Sequence, residues 1–117
     1  MNVPNRRECI TRTVKWGERS VHVSIGFNWV SRQLGQIEIC EVFAHGPKAG
    51  SEAASLLAEM CIERSKSIQD GTKPDYFARK CVRESDGSPA SISGAVADTL
   101  AQEYVEWNQV IALGAAN

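Results

Sequence analysis

The sequence predicts an α+β domain: a three-stranded antiparallel meander followed by two long helices, with a short helix between them, packed on one face of the sheet. Three observations predict it. Apolar residues recur at every second position in the first part of the chain, and at every third or fourth position in two later stretches. The change of period falls at a glycine-rich run, GPKAGS, at residues 46–51. Strands gathered first and helices after them is the order of elements in the α+β class.

The elements follow in order. Residues 1–7, MNVPNRR, are polar and read as a flexible arm ahead of a single domain at residues 8–108. In ITRTVKW, Ile10, Val14 and Trp16 share one face, interrupted by Arg12, which describes a half-buried first strand. Residues 17–20 are short enough for a hairpin loop. In VHVSIGF the alternation is cleaner, with Val21, Val23, Ile25 and Phe27 on one side. Residues 28–34 read as a longer turn. The third strand, GQIEICEVF, places Ile37, Ile39, Val42 and Phe43 less regularly, which suits apolar contacts on both faces or a bulge.

Beyond the glycines, Ala54, Leu57, Ala58, Cys61, Ser65 and Ile68 keep helical spacing up to Gln69, and Gly71 is placed to close that helix in a left-handed cap. PDYFARKCV reads as a short helix opened by Pro74. After a turn at Asp86 and Gly87, Ser88 and Pro89 resemble an N-cap and first helical position. Ile92, Val96, Leu100 and Tyr104 continue that stripe, with Trp107 beyond. Residues 109–117 read as a loosely ordered tail.

The chain of 117 residues fits one domain. Its 43% hydrophobic and 23% charged residues are globular proportions. A net charge of -1 provides no overall field for nucleic acid. No apolar run reaches the roughly 20 residues of a membrane span, and the N-terminus lacks the apolar core of a secretory signal, so no membrane association and a cytoplasmic location are expected. Cys9, Cys40, Cys61 and Cys81 are too dispersed for a zinc knuckle or a redox pair and read as small hydrophobes. No metal and no cofactor are expected.

Four features carry candidate chemistry. GPKAGS fails as a Walker phosphate loop, because three residues separate Gly46 from Gly50 and no lysine precedes Ser51. It still opens a helix, and Lys48, Gly50 and Ser51 could hold an anion or nucleotide phosphate at the positive helix start, against the plainer reading of Ser51 as a cap. Arg12 on an apolar face must reach the sheet edge or pair with an acid such as Glu38 or Glu41, or else grips a phosphate or a partner carboxylate as a fork. Trp29 beside Arg32 has the composition of an interface, with local packing as an equal alternative, while Trp16 and Trp107 fall on apolar faces and read as core. His22 and His45 have no partner at the spacing of a catalytic triad, so the chain reads as no enzyme.

Several short runs share an order with a known family: Arg6 and Arg7 with Thr11 and Thr13, then residues 35–39 (GQIEI), residues 48–50 (KAG) with Leu56 and Leu57, and residues 69–71 (QDG). On these the chain resembles the TSCPD domain, the C-terminal accessory domain of adenosylcobalamin-dependent ribonucleotide reductases, and its stand-alone homologues, across roughly residues 6–107. The Thr-Ser-Cys-Pro-Asp run that names the domain is absent, so no role of its cysteine carries over. The resemblance implies a non-catalytic accessory module, a reductase catalytic chain as partner and a link to nucleotide metabolism. The catalytic barrel, the cobalamin pocket and the C-terminal cysteine pair have no counterpart in this chain.

The sequence thus favours a non-catalytic interaction module, with a nucleotide or another anion at GPKAGS. Because three strands leave sheet edges exposed, a homodimer or higher homo-oligomer is expected. The alternative is a small nucleic-acid-binding module of β-β-β-α type, supported by Arg6, Arg7, Arg12, Lys15 and Arg19. The balanced charge opposes it, as does the absence of a basic cluster at residues 88–91.

Overall fold

A computed structural model describes residues 8–46 and 51–116. The arm at residues 1–7, together with Lys48 and Gly50, lies outside the described residues. The element order is β1 (Glu8–Trp16), β2 (Arg19–Ser31), β3 (Gln36–His45), α1 (Glu52–Gln69), α2 (Tyr76–Lys80) and α3 (Ile92–Ala116). The strands form one antiparallel sheet in the order β1-β2-β3, the meander that the alternating pattern predicts.

Strand alternation decides which side the helices cover. Val14, Val21, Val23, Ile25 and Val42 are buried on one face, against Leu57, Cys61 and Ile68 of α1 and Ile92, Val96 and Leu100 of α3. The other face carries Thr13, His22 and Ser24, with Phe43 exposed opposite Ser24. The irregular pattern of the third strand comes from a bulge. Gly26 pairs with Glu41 and Phe27 with Ile39, so Cys40 is the extra residue. The bulge resets the alternation, so that Ile37 and Ile39 before it and Val42 after it all serve the core.

Two expected boundaries shift. Residues 28–31 are not a turn: β2 runs on to Ser31, with Asn28 opposite Glu38 and Trp29 opposite Ile37. The reason is packing. Trp29 meets the edges of Phe27 and Trp107 at centroid distances of 5.6 and 6.4 Å. The second long helix does not begin at Ser88 and Pro89. Ser88 is held by the Asp86 carboxylate through both its N–H and its hydroxyl, while its C=O accepts from Glu84 N–H, so the chain stays extended there. The cap falls on the next serine, Ser91, whose Oγ accepts from Gly94 N–H at 3.0 Å.

Helix α1 ends as predicted. Gly71 adopts φ 112°, and the bonds Gly71 N–H to Ile68 C=O and Thr72 N–H to Ser67 C=O form a Schellman closure. Helix α3 runs in helical conformation to Ala116, past the point where its apolar stripe fades.

Candidate functional site

Of the residues singled out at GPKAGS, only the flanks are described. Gly46 has φ 134°, and a Cβ there would stand 3.1 Å from Ser20 C=O, so a side chain would be strained and crowded where β3 passes the start of β2. Ser51 caps α1, its Oγ accepting from Ala54 N–H at 3.1 Å. Both residues have structural work, and Lys48 and Gly50 lie outside the described residues.

The remaining candidates, Arg12, Trp29 and Arg32, gather along β1 and the strand beside it. Arg12 stands on the core face of β1, opposite Val23. Its acid is neither Glu38 nor Glu41 but Glu103 of α3, reached by Nε at 2.5 Å. Glu103 is 4% exposed, although it falls on the apolar stripe of its helix. Arg12 and Glu103 are therefore two polar interruptions of two apolar faces, each explaining the other. At the far end of β1, Glu8 accepts from Trp29 Nε1 at 2.8 Å and from Arg32 Nη2 at 3.0 Å, while the Arg32 guanidinium lies 5.2 Å from the Trp29 ring centre. The two hydrogen bonds, Trp29 first, hold the Glu8 carboxyl below its usual pKa.

The two sheet edges differ. Along the outer edge of β3, α1 sets three side chains one helical turn apart against alternate strand residues. Cys61 lies buried beside the Ala44 backbone. Ser65 Oγ accepts from Val42 N–H and donates to Val42 C=O. Gln69 Nε2 donates to Cys40 C=O. That edge is covered from Cys40 to Ala44.

Among the described residues, the edge of β1 has no such cover. Because Val42 turns both its backbone groups outward to Ser65, its neighbour Ile25 turns inward to β1, and the alternation leaves Thr11, Thr13 and Lys15 facing away from the sheet. Among the described residues, no strand pairs with them. The rest of the fold reaches β1 through side chains, as in Arg12 to Glu103 and in Trp16 Nε1 donating to Pro89 C=O at 2.9 Å. The strand pairs with β2 at every position from Glu8 to Trp16, without a bulge. It contains no proline.

His22 Nδ1 lies 3.2 Å from Thr13 Oγ1 on the polar face. Among the described residues, no three His, Cys, Asp or Glu side chains group as a metal site, and no helix is long and apolar enough to cross a membrane. Sequence reasoning missed Glu8, Ser65 and Glu103. An acid on the apolar stripe of α3 was a readable signal for Glu103. No signal in the sequence identifies Ser65, because its role depends on α1 lying along an edge.

No protein-family model matches the sequence, and no curated protein or solved structure shows significant similarity to the chain. The resemblance to TSCPD domains therefore rests on the short runs alone.

Proposed function

We propose that the chain is a non-catalytic interaction module whose working surface is the outer edge of β1, and that it pairs there with a second copy of itself. One observation carries the proposal: α1 covers the β3 edge through Ser65 and Gln69, while Thr11, Thr13 and Lys15 keep outward backbone groups with no cover among the described residues. An intact strand edge is a template for another strand, and folds that must stay single blunt such edges.

Symmetry favours a second copy. In antiparallel pairing about a two-fold axis centred on a residue, even positions meet even positions and odd meet odd. Ile10 and Val14 of one copy then join the apolar side of the other, and Thr11 and Thr13 join the polar side. The charge of Arg12 is already answered by Glu103 within each copy, which reduces repulsion across the axis. The resemblance to TSCPD domains supports a larger chain, of the ribonucleotide reductase kind, as the protein that such a module serves.

Amide hydrogen exchange at two protein concentrations tests the proposal. Thr11, Thr13 and Lys15 should gain protection at the higher concentration while the rest of the sheet does not change. Exchange at these three amides that is independent of concentration up to the millimolar range would contradict it.

A further inference from the structure

Arg64 lines a cavity of ≈ 480 Å³ between α1, α2 and the start of α3. The side chain belongs to the buried face of α1 and is 4% exposed. Nη1 donates to Ser93 C=O at 2.9 Å and Nη2 to Ser93 Oγ at 2.7 Å, and the guanidinium lies 5.7 Å from the Phe77 ring centre. Its Nε has no hydrogen-bond partner, and no carboxylate lies within ion-pair distance among the described residues. A buried charge with only neutral partners is costly, and in most folds it is answered by an acid.

The surroundings indicate what would answer it. Lys80 adds a second cation to the wall, and Ser91 and Ser93 at the start of α3 line the same space. The rest of the lining is largely apolar: Phe77, Met60, which is 39% exposed, and Val82, which is 75% exposed. Glu63 also stands in the wall and disfavours a doubly charged group. The volume is within the range of small-molecule sites.

We propose that this cavity binds a small organic carboxylate, with the carboxylate on Arg64 and an apolar body against Phe77, Met60 and Val82. A guanidinium edge fits a planar carboxylate, Nε is itself buried and is reached by a shift of the side chains around it, and one negative charge matches the one buried cation. Cys81, whose Sγ donates to Phe77 C=O at 3.1 Å and lies 3.8 Å from Arg64 Nη2, makes only a weak contact with the guanidinium, which a carboxylate oxygen would replace.

The test is a titration of isotope-labelled full-length protein with octanoate, octan-1-ol and inorganic phosphate, followed through the amide signals of Arg64, Phe77, Cys81 and Ser93. Octanoate should shift these signals saturably. Octan-1-ol and phosphate should bind at least about tenfold more weakly, the ratio expected when a charge-assisted hydrogen bond is lost or mismatched. Arg64→Met, which keeps the volume and removes the charge, should abolish the octanoate response. Should that variant fail to fold, Arg64→Gln retains a donor for Ser93 and should show the same loss. No saturable shift with octanoate, equal binding of octan-1-ol or of phosphate, or unchanged octanoate binding in the folded variant would each overturn the proposal.

Discussion

The hydroxyl of Ser65 accepts from Val42 N–H at 2.9 Å and donates to Val42 C=O at 3.1 Å, so one side chain of α1 completes both outward backbone groups of one residue in β3. A strand edge is thereby closed by a helix. Ser65→Ala leaves a buried donor and acceptor unmade and should cost about 1–3 kcal/mol in thermal or denaturant unfolding. A change below about 0.5 kcal/mol would mean that the edge is satisfied in another way.

The ion pair of Arg12 and Glu103 joins the first strand to the last helix, with Arg12 half exposed and Glu103 buried. Arg12→Ala strands the carboxylate and should destabilise by about 1–3 kcal/mol. Replacing both residues with leucine should restore most of that loss, because both stand on apolar faces. A double variant less stable than Arg12→Ala would contradict this account.

Glu8 titrates below the usual carboxylate range because its ionised form accepts from Trp29 and Arg32. Its folded pKa lies under its unfolded one. The stability it adds is therefore present above the unfolded pKa and is lost as pH falls through the folded pKa. Trp29 emission should show an acid step below the ordinary carboxylate range, absent in Glu8→Gln. A step at the unperturbed value would show that the two bonds do not hold in solution.

Cysteine labelling reads burial directly. Cys9 is exposed and Cys81 half-buried, whereas Cys40 and Cys61 are buried, and burial pushes the Cys61 thiol up from its usual pKa. A thiol reagent followed by mass spectrometry should modify Cys9 first and Cys81 next, with Cys40 and Cys61 reacting only on unfolding. Rapid modification of Cys40 or Cys61 in the folded protein would contradict the packing of α1 on β3.

Much of this was legible in the residues. The period change at GPKAGS separates sheet from helices, and the alternation of Val21, Val23, Ile25 and Phe27 identifies the central strand, buried on one side. What was not legible depends on tertiary contact. Residues 28–31 contain turn formers, yet they stay extended because Trp29 packs on Phe27 and Trp107. Ser88 and Pro89 have the composition of a helix start, but Asp86 captures the serine three residues ahead of the true cap. Arg64 was readable as a charge on the buried stripe of α1, between Cys61 and Ile68. Its cavity was not, because Phe77 and Ser93 reach it from other elements.

Sedimentation velocity of the wild type beside Thr11→Pro tests most directly whether β1 is the docking edge. Thr11 faces its backbone N–H away from β2, so proline there removes an outward donor without breaking the β1–β2 ladder. The account predicts a concentration-dependent dimer for the wild type, and a monomer with an unchanged circular dichroism spectrum for Thr11→Pro. A wild type that stays monomeric to millimolar concentration, or a Thr11→Pro variant that dimerises as well as the wild type, would contradict it.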